Sequence, residues 1–439
     1  MLLREKITRE YQAFAENKRN TLFDEERKSA FRRFESAGFP NKKEEEYKYT
    51  SLREIIEKDY NFYPKSVESD LDQEINKLSL GTGDFYKLVI VNGTFCEEFS
   101  FLPKENIKYL PIGDTDFEGK YRRHFQKFFA RLSHGTYAFT DLNLAFFSAG
   151  IFLKIPKNAV IDRPIHIFYI STGQEKNTFY NTRNLLIVEE GANVKIIETH
   201  YNLDTSYTFT NSVTEIFAEK NAKSQWHKLQ NDNSASYLVD HTFVSQESGS
   251  ASTVNTFSFG SKIVRNNLDF IHEGEHVHSY MNGVTLIGGE QLVDHHTAVH
   301  HNFPDCESYQ NYKGIYKDFS HGIFNGKVFV NKAAQKTNAY QQNNNILLSE
   351  GAVIDTKPQL EIFADDVKCS HGCTVGQLDK DALFYLRARG ISKKEAQALL
   401  LYAFANDALK NIDIVPLKLK VSKLLTEKLD VSVGFRIGE

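Results

Sequence analysis

Asn158-Ala-Val-Ile-Asp-Arg-Pro-Ile-His-Ile167 and Gly351-Ala-Val-Ile-Asp-Thr-Lys-Pro-Gln-Leu-Glu-Ile362 share one grammar: a small residue at a corner, an apolar strand and a polar turn. Glu190-Gly-Ala-Asn-Val-Lys-Ile-Ile197 repeats the theme. Such a unit suits a solenoid rung, because each coil buries its strand only by stacking on its neighbours. Around these stretches, from about Asp84 to Ala364, short β-branched and aromatic runs alternate with Gly, Asn, Asp and Pro. Lys87-Leu-Val-Ile-Val91 and Asn184-Leu-Leu-Ile-Val188 are examples, and no Asn-Gly series organises them into hairpins. The polar run Gln335 to Asn345 supplies side-chain amides that can form ladders along stacked turns. The pattern predicts a parallel β-helix. A two-sheet sandwich of about 280 residues would also show short strands, at a length near the upper range for one domain.

Both flanks read as helical, and the chain as mainly β with helical ends: an N-terminal helical region over 1–83, a β-helix core over 84–370 and a helical C-terminal domain over 371–439. In the first, apolar residues recur at helical spacing, as in Phe31, Phe34 and Ala37, until Gly38-Phe39-Pro40-Asn41 forces a stop and a restart. In the last, Ala382, Leu383, Tyr385 and Leu386 form a helical face that ends at Gly390. Ser392 with Glu395 has capping-box spacing for the next helix, whose stripe is Ala396, Leu399, Leu400, Ala403 and Phe404. Val415 to Ile437 predicts another helix.

The 439 residues are 41% hydrophobic and carry a formal net charge of -4, a folded chain without overall electrostatic drive toward nucleic acid or anionic membrane. The first ten residues mix both charge signs without the apolar core of a signal peptide, and no stretch approaches the roughly 20 apolar residues of a membrane span. Four cysteines, Cys96, Cys306, Cys369 and Cys373, are too few for a disulfide framework and fit free thiols in a reducing, cytoplasmic compartment.

Phosphate-cradling loops, dinucleotide fingerprints, nucleophile elbows and His-Glu-x-x-His pairs are absent, so nothing argues for an enzyme. Two histidine groups, His272, His276 and His278 beside Glu273 and Glu275, and His295, His296, His300 and His301, have the chemistry of a zinc, iron or nickel site. The competing reading is surface-strand histidines that are solvated or bonded to a neighbouring rung. Val367-Lys-Cys-Ser-His-Gly-Cys-Thr-Val375 is sharper: in an extended strand Cys369, His371 and Cys373 share one face, where thiolate and imidazole meet a soft metal or nascent cluster with coordination positions left open. Against this stands the packing of cysteine as a small hydrophobe at a β-helix corner.

Asp355 to Asp379, continuing into Leu383-Phe-Tyr-Leu-Arg-Ala-Arg-Gly-Ile391, closely resembles the SufB/SufD family. The resemblance extends through Cys306-Glu-Ser-Tyr-Gln310, Tyr312-Lys-Gly314, Gly322-Ile-Phe-Asn-Gly-Lys327 and Gln335-Lys-Thr337, and to Gly38-Phe-Pro40 with Glu46-Tyr-Lys-Tyr-Thr50. Gly372 stands where SufB proteins place an acidic residue, so the likeness is to the SufD branch; Tyr47 replaces the usual tryptophan and Cys373 the common alanine. The resemblance implies a right-handed parallel β-helix, a non-catalytic scaffold for iron-sulfur cluster assembly, a SufB-like partner and a SufC-like ATPase docked on the C-terminal helices. It also implies that Cys369 and His371 are transient iron or cluster ligands near the SufB interface, with no cofactor stably bound by the isolated chain. A homodimer through an exposed β-helix edge is expected when the partner is absent. Two other readings are a self-sufficient metal-binding β-helix protein using the histidine groups and a carboxylate-based polysaccharide enzyme.

Overall fold

The computed structural model describes residues 2–17, 23–62, 64, 71–80, 84–103, 107–112, 121–410 and 412–429. Helix α1 (Leu3–Asn17) buries Leu3, Ile7, Tyr11 and Phe14 along one stripe, and α2 (Asp24–Ala37) buries Arg27, Ala30, Phe31 and Phe34. Tyr11 stacks on Phe31 with ring centroids 3.8 Å apart. The expected stop falls at Gly38, whose φ of 72° lets its N–H reach Phe34 O as the helix ends. Short helices α3 (Arg53–Ile56) and α4 (Asp72–Leu78) follow.

The solenoid begins with β1 (Tyr86–Val91), β2 (Thr94–Phe95) and β3 (Lys108–Pro111). Two helices, α5 (Arg122–Phe128) and α6 (Ala138–Phe146), interrupt the stretch that reads as β from sequence. They bury Phe125, Phe128, Phe139 and Phe146, aromatic residues whose abundance reads equally well as strand. Then come β4 (Ile151–Ile155), β5 (Ile165–Ser171), β6 (Thr178–Val188), β7 (Asn193–Asn202), β8 (Thr208–Ala218), β9 (Lys223–Gln230), β10 (Ser236–Gln246) and β11 (Ala251–Ser258). The run ends with β12 (Ile263–His272), β13 (His278–Ile287), β14 (Leu292–His301), β15 (Glu307–Tyr316), β16 (His321–Val330), β17 (Asn338–Leu347), β18 (Val353–Ile362) and β19 (Lys368–Gly376).

From β5 onward even strands pair only with even and odd only with odd, all in parallel, giving two sheets wound as a β-solenoid of about eight turns, while β4 also pairs antiparallel with β3. Ala251 pairs with Lys223 behind it and His278 ahead, offsets of 28 and 27 residues, which is one rung. Each rung turns through a left-handed corner. Asn158, Gly191, Asn221 and Gly249 all have positive φ, and the N–H of each donates to the next rung's corner. A Cβ on Gly191 would lie 2.4 Å from Asn158 Oδ1, so glycine is required there by both φ and space.

Asn158-Ala-Val160 and Gly191-Ala-Asn193 lie in register, with Val160 bridged to Asn193. Gly351-Ala-Val353 instead opens β18, in the other sheet. The sequence echo therefore reflects the common needs of a corner followed by a strand, not one column of the solenoid.

Between the sheets lies an apolar filling that includes Leu88, Ile167, Leu186, Ile196, Trp226, Val254, Phe270 and Met281, each such side chain contributing about 1.5–3 kcal/mol by leaving water. Outside, α1, α2 and α6 cover Phe179, Phe209 and Tyr237 of the even sheet. On the opposite side α8 (Lys393–Asn406) and α9 (Val415–Lys428), which follow α7 (Lys380–Ala388), cover Leu229, Phe257, Val284 and Ile315 of the odd sheet. Ser392 caps α8 in the expected box with Glu395. Strand β19 continues through Gly376, past residue 370 where the sequence reading closes the core. The part of the predicted last helix beyond Leu429, residues 430–437, lies outside the described residues.

Candidate functional site

At the C-terminal end of the solenoid, among the described residues, β18 pairs only with β16 and β19 only with β17, so one edge of each carries no further described strand. Apolar side chains are exposed around this end: Val353, Ile362 (39%), Phe363 (63%) and Val375. An exposed strand edge beside apolar side chains is a template for pairing with another chain.

The three sequence-predicted ligands lie on β19 at this open end. Cys369 pairs with Ala339, His371 with Gln341 and Cys373 with Asn343, the strand neighbours that face the solenoid interior. The alternation expected from sequence is therefore present. The structure separates the two thiols. Cys369 is half-buried against the cluster of Val328, Val330, Ala334, Ala339 and Leu360, and burial pushes its thiol pKa up. Cys373 is exposed, with its sulfur 3.2 Å from Thr356 Oγ1 of β18. Thr356 Oγ1 donates to Asn343 Oδ1 at 3.1 Å, and Asn345 Nδ2 donates to the same oxygen at 2.6 Å. Thr356 and Asn343 have no individual signal in the sequence, since their meeting depends on how the two sheets face each other. Among the described residues no group of three His, Cys, Asp or Glu side chains is placed to hold a metal.

The histidine groups are dispersed into other work. His272 Nε2 lies 2.7 Å from Ser279 Oγ and His301 Nε2 2.9 Å from Ser308 Oγ, while His295 bridges Asn266 and Thr285. His272, His295 and His301 are buried rather than on the surface, and burial lowers the pKa of His295 to about 4 and of His301 to about 3. They act as neutral hydrogen-bond partners at neutral pH. Of the predicted amide ladder, Gln341 Nε2 donates to Gln310 Oε1 on the rung below at 3.1 Å.

A second polar system fastens the N-terminal loop to the outer face of the even sheet. Glu46 accepts from His296 Nδ1 at 2.9 Å and from Lys327, and its pKa is lowered to about 2, chiefly by the His296 hydrogen bond. Glu45 pairs with Lys357 of β18, Thr50 Oγ1 donates to Asp294, and Tyr47 lies under Arg265. The segment Glu45 to Thr50 thus spans β12, β14, β16 and β18. Inside the solenoid, Lys228 donates to Asp240 and Thr242, and Glu198 accepts from Trp226 Nε1 at 2.9 Å. Glu198 and Lys228 are neighbours in register, so their opposite charges one rung apart were the available sequence signal.

On α7 no side chain is buried, Phe384 is 74% exposed and Tyr385 57% exposed.

A family model described as SUF system FeS cluster assembly, SufBD core domain, matches residues 169–404, and one for the SufBD protein N-terminal region matches residues 5–167. The chain is 31% identical to an iron-sulfur cluster assembly SufBD family protein of Synechocystis, over 93% of this chain and 91% of that one. It is 31% identical to the iron-sulfur cluster assembly protein SufD of Escherichia coli, over 89% of this chain and 90% of that one. To the chloroplastic protein ABCI7 of Arabidopsis thaliana it is 30% identical, over 85% of this chain and 79% of that one.

Proposed function

The chain belongs to the SufBD family of iron-sulfur cluster assembly proteins, and from that premise we propose that it is a non-catalytic scaffold subunit. It pairs through its open end with a SufB-like paralogue and carries a SufC-like ATPase on its C-terminal helices. The observation that carries this reading is the unpaired edge of β18 and β19, with Cys369 and His371 on the terminal strand itself. A partner strand added there would bring its own side chains beside His371, and a metal needs those further donors because the described residues offer too few.

Iron or a nascent cluster is cargo here, held transiently by Cys369 and His371 and completed by the partner, and the isolated chain retains no cofactor. An incomplete donor set favours transfer over storage. The exposed aromatic pair Phe384 and Tyr385 supports α7 as part of the ATPase-docking face. The four free cysteines support a reducing, cytoplasmic setting, and no described helix is long and apolar enough to cross a membrane.

The test is co-purification with SufB-like and SufC-like partners, followed by anaerobic iron and sulfide analysis of the complex and of the chain alone. A ternary complex that gains cluster beside a metal-free lone chain is the expected result. Failure to form the complex, or firmly bound stoichiometric metal on the lone chain, overturns it. His371→Ala should lower cluster yield in a complex that still assembles; unchanged yield removes His371 from the site.

A further inference from the structure

We propose that residues 431–437 occupy the free edge of β18 in their own chain, as a strand that covers Ile354 and Thr356 and that a partner strand must displace. The assignment rests on the scaffold reading only for what displaces it.

Beyond α9 the sequence runs Asp430-Val-Ser-Val-Gly-Phe-Arg-Ile-Gly-Glu439. Val431, Val433, Phe435 and Ile437 alternate with Asp430, Ser432, Gly434 and Arg436, and a period of two among β-branched and aromatic residues is strand grammar. The helix expected as far as Ile437 is described only to Lys428. A single short strand has an apolar face to bury and backbone groups to satisfy, and an existing sheet edge supplies both needs.

The fold delivers the segment to such an edge. Leu429 packs with Ile315, Ile346 and Leu348, and Lys317 Nζ donates to the Lys428 carbonyl at 3.1 Å. Helix α9 therefore ends against the corner that leads from β15 to β16. The next corner is fastened to that one, with the Asp318 N–H donating to Ser349 Oγ at 2.8 Å and the Leu348 N–H to Tyr316 O at 2.8 Å. From it β18 departs at Val353. Apolar surface lies bare along the way: Phe319 is 74% exposed and Val353 47% exposed. About three extended residues cover the roughly 10 Å of two rung spacings, and the residues after them run parallel to β18, the direction of every earlier coil in that sheet from β6 onward.

The backbone of β18 sets how much of the edge is available. Val353 N–H donates to Ser320 O and Phe363 N–H to Val330 O, so alternate residues bond to β16, while Ile354, Thr356, Leu360 and Ile362 turn their N–H groups to the free edge. Pro358 stands among them without an N–H and interrupts the ladder halfway. The half before Pro358 is the part that the ten residues after Leu429 can reach. On its inward side Ile354, packed on the cluster of Val293, Tyr316 and Ala352, is the seat for the apolar face of the segment. Covered in this way, the edge no longer offers a template to a second copy of the chain.

The experiment is hydrogen–deuterium exchange on the full chain, on a chain ending at Leu429 and on Val433→Asp/Phe435→Asp, with thermal melts of each and association rates with the SufB-like paralogue. The amides of Ile354 and Thr356 should exchange at least about tenfold faster in both variants, with exchange in β10 and β12 unchanged. Both variants should also bind the paralogue faster than wild type, and wild-type protection should survive dilution. Equal exchange in wild type and the folded variants, equal measurable association rates, or protection that falls on dilution, as cover by a second copy requires, overturns the proposal. A paralogue that binds none of the three forms while the exchange difference stands defeats only the scaffold reading.

Discussion

Arg265 donates to Asp294 at 2.6 Å and holds its guanidinium 3.9 Å from the centre of the Tyr47 ring, with both charged side chains buried. The same guanidinium donates to the Glu46 carbonyl at 2.8 Å. One side chain of β12 thus ties the N-terminal loop to the solenoid by a hydrogen bond, an ion pair and a ring face. Truncating it leaves the buried Asp294 carboxylate without its guanidinium partner, so Arg265→Ala should cost about 3–5 kcal/mol in urea denaturation. The Arg265→Ala/Asp294→Ala pair should recover part of that loss, and additive single effects would contradict the coupling.

Glu46 sets an acid limit. With its folded pKa lowered to about 2 against an ordinary 4.5, the carboxylate binds protons less readily in the folded chain than in the unfolded one. The stability it contributes is present above pH 4.5 and is lost as pH falls toward about 2. Melting temperature measured across that window should fall more steeply for wild type than for Glu46→Gln.

Asp269 has the opposite sign. Burial raises its pKa to about 7, with the Tyr137 hydroxyl 3.3 Å away, so the folded chain keeps a proton that the unfolded chain has released. Its contribution to stability therefore declines as pH rises from 3.8 to about 7 and then levels off. Asp269→Asn should be more stable than wild type at pH 8 and lose that advantage in acid; a constant difference at all pH values would refute the assignment.

Lys228 neutralises a closed interior. It pairs with Asp240 at 3% exposure on both sides, with Glu198 also buried nearby. Lys228→Met should destabilise by about 3–5 kcal/mol, because it strands carboxylates in the core. Lys228→Met/Asp240→Leu should be distinctly more stable than the single variant, as a double-mutant cycle by chemical denaturation would show.

The open end can be blocked without touching the core. Ile362→Lys and Phe363→Lys change exposed side chains beside the free edge of β18, so each should leave stability within about 0.5 kcal/mol of wild type. Association with a SufB-like paralogue, measured by co-purification, should be abolished in the pair of substitutions; undiminished association would place that interface elsewhere.

The features legible along the chain are local. The stop at Gly38, the Ser392–Glu395 cap, the strand character of the middle region and the shared face of Cys369, His371 and Cys373 follow from backbone geometry, where periods of 3.6 and 2 are fixed by neighbouring residues. The family motifs were equally legible, because they are contiguous. Which residues meet across rungs and sheets is settled by the folded chain alone. Glu46 and His296 are 250 positions apart, Thr356 reaches Cys373 from the opposite sheet, and the echo of Asn158 in Gly351 joins two different sheets. Those meetings depend on rung lengths that vary with every corner and on which charges the packing buries. No local period encodes them, so the two thiols of β19 looked equivalent until the solenoid placed one against aliphatic side chains and the other beside a hydroxyl.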